Sequence, residues 1–156
     1  MKQRLFVDTN IFLFLLTKQE KVWEKISSVL DDNSYEFFTS VLVLNELKYK
    51  LLWLSAAEKL STTKKYDIVA EIKKNSILRN AVYSKYLEFY LSLAHQFTIL
   101  ENSVHHELLS CSLSTKYGLL PMDAGIVATM LKHNISIIFT DDKDFSKVTE
   151  IKVLFP

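Results

Sequence analysis

The sequence predicts an α/β fold, a three-layer α/β/α sandwich on a central parallel sheet of about five strands. Two observations carry that expectation. Short, β-rich apolar runs recur at 5–7, 37–39, 97–100, 135–139 and 151–155, and longer stretches with helical spacing separate them. Strands that alternate with helices make parallel crossovers, so helices cover both faces of the sheet. With two glycines and two prolines in 156 residues, the chain has no linker composition and reads as a single domain, 1–156.

Each element follows from its residues. Leu5, Phe6 and Val7 form a first strand that Asp8-Thr9-Asn10 ends, and Val22, Ile26, Val29 and Leu30 repeat at helical intervals. Phe37, Phe38 and Thr39 form a second strand that ends at Ser40. A helix follows in which Val41, Leu42, Val43, Leu44, Leu47, Leu51 and Leu52 surround Glu46; apolar almost all round, it should be buried. The run 97–100 supplies a third strand. Ile126, Val127, Met130 and Leu131 mark a late helix that opens at Pro121-Met122-Asp123 and ends at Asn134, a left-handed cap. Runs 135–139 and 151–155 complete the sheet.

Composition excludes several classes. Hydrophobic residues at 49% and charged residues at 24% are those of a globular chain, and 19 basic against 18 acidic residues leave a net charge of +1. Any nucleic-acid partner must therefore be sought in local charge. The single cysteine, Cys111, excludes an internal disulfide and a cysteine-built zinc site, and it reads as a small packing residue. Lys2 and Arg4 before an apolar stretch imitate a signal peptide, but Asp8, Thr9 and Asn10 interrupt it. No run approaches the ~20 apolar residues that span a bilayer, so the expected location is cytoplasmic, with no membrane partner. With only Gly118 and Gly125, the latter followed by Ile126, there is no Walker loop and no dinucleotide fingerprint, and no Gly-x-Ser-x-Gly elbow occurs. A haloacid-dehalogenase-type phosphatase would need an aspartate where Asn10 stands.

In open α/β sheets ligands bind beyond the carboxyl ends of the strands. Acids gather there: Asp8 after the first strand, Glu46 about two turns into the helix after the second, Asp123 at a late helix start, and Asp141, Asp142 and Asp144 after the fourth strand. Singly, each has a plain reading as a cap or a polar turn. Together they conflict, since two carboxylates ~4 Å apart repel by ~4 kcal/mol at an effective dielectric of ~20. Protonation or a cation must relieve that repulsion, and compact oxygen-only ligands suit Mg²⁺ or Mn²⁺.

Val7-Asp8-Thr9-Asn10, Ser40 through Glu46, Asp123-Ala124 and Thr140-Asp141-Asp142-Lys143-Asp144-Phe145 resemble, in order and spacing, the acidic motifs of PIN domains. The length is similar to that of the toxin ribonucleases of VapBC toxin–antitoxin pairs. The resemblance implies a divalent-metal-dependent endoribonuclease with Asp8, Glu46, Asp123 and Asp142 as metal ligands and Asp144 as an accessory acid. Thr9, Asn10 and Thr140 would hold the carboxylates by hydrogen bonds. It further implies an RNA substrate, a small antitoxin partner and a homodimer. The alternatives are a PIN-fold RNA-binding or protein-interaction module without turnover, and a housekeeping RNA-processing nuclease. Gly125 departs from the family, which commonly has a larger apolar residue there.

The segment 55–95 carries a local charge of +3, with Lys64, Lys65, Lys73 and Lys74 among aromatics such as Tyr66, Tyr83 and Tyr86. It could track an RNA backbone, or be two amphipathic helices with solvated lysines. By resemblance it is the family's helical clip, which shapes the substrate groove and receives the antitoxin. His105 and His106, adjacent on a helix, point about 100° apart and read as solvated or capping residues, not as joint ligands. His95 and His133 stand near helix ends, where a histidine interacts with the helix dipole.

Overall fold

Apolar, β-rich runs become strands, and the five of them here run from a fully buried centre at Leu5-Phe6-Val7 to edge strands that are partly exposed. The computed structural model describes residues 2–17 and 20–156. The elements are β1 (Gln3–Val7), α1 (Thr9–Thr17), α2 (Glu20–Leu30), β2 (Tyr35–Ser40), α3 (Val41–Leu60), α4 (Lys65–Lys74), α5 (Ser76–Ala94), β3 (Phe97–Leu100), α6 (Val104–Tyr117), α7 (Pro121–Lys132), β4 (Ile137–Phe139), a 3-10 turn (Lys143–Lys147) and β5 (Lys152–Leu154). They fall into two compact units, Met1–Leu44 with Phe97–Pro156, and Asn45–Gln96.

The first unit holds the whole sheet, in the order β3-β2-β1-β4-β5 with every neighbouring pair parallel. Consecutive Leu5, Phe6 and Val7 are all fully buried, and because successive strand residues point to opposite faces, both faces of β1 are covered. This is the expected α/β/α layering. Phe6, Phe12, Phe139 and Phe145 are the largest buried side chains, each contributing roughly 2–3 kcal/mol by burial. Phe97 binds the sheet to α1, with its ring 5.5 Å from Phe12 and 5.3 Å from Phe37.

Helices α6 and α7 form a hairpin. Gly118 closes α6 in the left-handed region (φ 68°), and Pro121 opens α7 at a position where its missing N–H costs nothing. Asn134 follows α7 with φ 55°, the left-handed cap the sequence predicts. His106 is buried and its Nδ1 accepts from the Ser103 amide at 2.7 Å, so the capping reading holds for it, while His105 is exposed. At the other end of α6, Lys116 and the Tyr117 hydroxyl bind Glu150. The Lys116 hydrogen bond, then that of Tyr117, holds the Glu150 carboxyl down at about 2, and the Glu150 bond, then a contact with Tyr117, pushes Lys116 up to about 12. Cys111 corrects an expectation: it is exposed, because the residues of α6 that turn inward are His106, Ser110 and Leu113.

In the second unit, Glu71 is 3% exposed yet charged. Lys59 Nζ (2.7 Å), Asn75 Nδ2 (2.7 Å) and Lys74 Nζ (3.2 Å) converge on it, with the Lys59 bond foremost in holding its carboxyl down at about 2. Asn75 also caps α5, accepting from the Leu78 amide at 3.0 Å. Lys64, Lys65 and Lys73 are exposed, as solvated positions of amphipathic helices would be. The expectation that α3 is buried all round is corrected, since Tyr49 (53%) and Leu54 (44%) stand exposed. Among the described residues, no helix is long and apolar enough to cross a membrane.

Candidate active site

The sheet order changes direction at β1: β2 follows it on one side and β4 returns on the other. Such a switch point opens a crevice beyond the carboxyl ends of the two central strands. Asp8 leaves β1 there and Thr140 leaves β4. The register of Val7 against Phe139 and the bond from the Asp8 amide to the Phe139 carbonyl (3.1 Å) bring the two together.

Thr140 is the joint of the site. Fully buried, it donates through Oγ1 to Asp8 Oδ2 at 2.7 Å and accepts from the Asp142 amide at 3.0 Å. Its own amide is bonded to the Leu154 carbonyl at 3.1 Å, which fixes its backbone between β4 and β5. Asp8, only 4% exposed, is thereby held in one orientation and tied to the turn that carries Asp142. Asp142 in turn accepts from the Asp144 amide at 2.8 Å, the cap of the 3-10 turn, and Asp144 pairs with Lys147 at 2.7 Å. Thr9 is fully buried beside Asp8, and Asn10 is half-buried on the first turn of α1.

The other two predicted acids differ in setting. Asp123 is half-buried in the first turn of α7, where the hairpin turn and Pro121 place it and where a carboxylate complements the helix dipole. Glu46 belongs to the second unit; its side chain is 24% exposed and pairs with Lys50 at 2.9 Å, so the partner it needs is one turn along its own helix. Among the described residues, no three His, Cys, Asp or Glu side chains stand close enough to form a metal cage. The donor set fits a hard divalent ion: carboxylate oxygens, one of them nearly buried and oriented by a threonine.

The sequence reading missed Asn102 and Thr129. Thr129, fully buried on α7, donates to Asn102 Oδ1 just beyond β3 at 2.8 Å. No spacing rule links residues 27 apart on different elements. Gly125 has a packing reason: a Cβ there would lie 2.9 Å from Leu42 Cδ1, so the glycine lets α7 approach the start of α3.

Comparison with known proteins agrees with this geometry. The PIN domain family matches residues 5–151. Ribonuclease VapC6 of Methanocaldococcus jannaschii is 25% identical over 150 residues, which cover 96% of this chain and 95% of that relative. Among solved structures, VapBC2 from Rickettsia felis, bound to a promoter DNA fragment, superposes with a TM-score of 0.62 at 18% identity and covers 98% of both chains. VapC20 of Mycobacterium tuberculosis, a toxin that cleaves the sarcin–ricin loop, gives 0.60 at 16% identity over 91% of this chain and 92% of that one. With the ordered acids on the strand ends and a family match along nearly its whole length, the chain belongs to the PIN domain family.

Proposed function

We propose that this chain is an endoribonuclease, the toxin of a toxin–antitoxin pair, and that it hydrolyses RNA phosphodiester bonds with Mg²⁺ or Mn²⁺ held by Asp8, Glu46, Asp123 and Asp142. The observation that carries the reading is the Thr140 bridge, which joins Asp8 to the Asp142 turn at the sheet's switch point. Glu46 enters on the order of its motif alone. The toxin role draws on the ribonuclease and toxin–antitoxin relatives.

The chain's own residues would act as follows. Thr140 keeps Asp8 in one rotamer, so no ordering entropy is spent on that ligand at binding. Asp142 is fixed through its cap to the Asp144 amide, and Asp144 supports that turn. The cation, when bound, makes hydroxide available at neutral pH and offsets charge on the leaving 3′ oxygen. Exposed Lys64, Lys65 and Lys73 would draw in the RNA backbone. Exposed apolar side chains of the second unit, including Leu54, Leu87 (54%) and Leu91 (62%), are candidate contacts for a second copy or an antitoxin.

The test is cleavage of a cellular RNA pool with Mg²⁺, with Mn²⁺ and with chelator, with the new ends mapped. Metal-dependent cuts that leave a 5′ phosphate support the proposal. An RNA pool left intact under every metal condition refutes it.

A further inference from the structure

We propose that a cavity beside the start of α7 is a guanine-binding subsite in which the Glu107 carboxylate reads the base; this rests on the proposed action on RNA. The cavity has a volume of about 470 Å³ and lies within the first unit, with Leu42, Asn102, Glu107, Ser110, Cys111 and Met122 among its walls. That volume lies in the range of small-ligand pockets.

Its position suits a place beside the acids. Leu42 stands two residues past β2, Asn102 two residues past β3, and Met122 immediately precedes Asp123. The cavity therefore belongs to the carboxyl edge of β2 and β3, one or two strand spacings, about 5–10 Å, from β1 and Asp8. A base lodged there belongs to a nucleotide next to the phosphate at the acids.

The lining chemistry selects the base. Leu42 and Met122 offer apolar contact for a flat ring. The Asn102 side-chain amide, 2.8 Å from a Thr129 hydroxyl that also meets the Gly125 carbonyl at 2.9 Å, adds a polar group to the same wall. Glu107, exposed in the first turn of α6, enters no salt bridge among the described residues and presents two acceptor oxygens. Guanine alone carries two adjacent donors, N1–H and N2–H₂, on its Watson–Crick edge. Adenine and cytosine set one donor beside an acceptor lone pair, which a carboxylate repels. The same charge disfavours a phosphate in the cavity, so its ligand is a base edge.

Cys111 makes the test direct, because it is the single cysteine of the chain, is exposed and lines the cavity. Its alkylation by iodoacetamide is followed in chelator with 5′-GMP, AMP, CMP or UMP. GMP should protect at about tenfold lower concentration than the others, the discrimination of one good bidentate contact. Glu107→Gln, a surface change, should turn the preference to AMP, since an amide matches adenine's N6–H₂ and N1. Equal protection by all four nucleotides, none by GMP, or an unchanged preference in Glu107→Gln overturns the proposal. Cleavage of oligonucleotides that differ only in G or A beside the scissile bond separates the sources. Preference for G supports an RNA subsite, whereas protection by free GMP without that preference overturns its role in substrate choice. GMP protection that reverses in Glu107→Gln, with no RNA cut under any metal, would keep the subsite and sink the nuclease reading.

Discussion

Replacing Thr140 with valine removes one hydroxyl and little volume, which makes the change a clean probe of the site. The hydroxyl is fully buried, donates to Asp8 Oδ2 at 2.7 Å and accepts from the Asp142 amide at 3.0 Å. A hydrogen bond to a charged acceptor contributes about 1.5–3 kcal/mol, and the Asp142 amide, only part-buried, adds up to about 1 kcal/mol when left without its acceptor. Partial rearrangement brings the expected net loss to about 3 kcal/mol. At about 2–4 °C per kcal/mol for a chain of this size, the melting temperature should fall by about 6–12 °C. Loss of a hydrogen bond that orients a metal ligand typically weakens metal binding about 10–100-fold, so cleavage should need correspondingly more Mg²⁺. Thr140→Ser keeps the hydroxyl and loses a methyl, at about 1 kcal/mol, with nearly unchanged metal demand. Melting curves and Mg²⁺ titrations of cleavage for the three proteins decide the matter. A valine variant that melts with wild type and half-saturates at the same Mg²⁺ concentration would refute the role given to Thr140.

Acid should weaken the second unit through Glu71. Its carboxyl lies at about 2 in the fold against an ordinary 4.5, chiefly through Lys59, so its contribution is complete above about pH 4.5 and is lost as pH falls from there through about 2. Urea midpoints should fall further between pH 7 and pH 3 for wild type than for Glu71→Gln. Glutamate at Lys64, Lys65 and Lys73 should weaken RNA binding and lower its logarithmic salt slope by about 0.7 for each phosphate no longer neutralised, with melting unchanged. Lys74→Glu should also lower the melting temperature, because Lys74 is paired with buried Glu71 at 3.2 Å and the change sets like charges together.

Much of the fold was legible because each strand is a local statement. Phe37-Phe38-Thr39 is apolar, β-rich and short, and the alternation with helices dictates a parallel sheet. The strand ends were legible for the same reason, so Asp8, Asp142 and Thr140 could be placed at one edge from the residues alone. What local pattern could not give was exposure within a helix. Glu46 reads as buried among leucines, yet the packing around α3 leaves Tyr49 and Leu54 exposed and supplies Lys50 as partner. Cys111 failed similarly, since α6 has too weak an apolar stripe to reveal its inner face. The Asn102–Thr129 bond and the Glu71 cluster join residues on different elements, and such pairings appear only once the chain has folded.

The central claim is that carboxylates at the β1 and β4 ends hold a divalent cation, and the shift in melting temperature on adding Mg²⁺ to wild type and to Asp8→Asn tests it most directly. A cation that binds the folded chain raises its melting temperature, and removal of a carboxylate deletes a ligand. Wild type should therefore gain stability with Mg²⁺, whereas Asp8→Asn should gain almost nothing from it. An equal Mg²⁺-induced rise in both proteins would contradict the account.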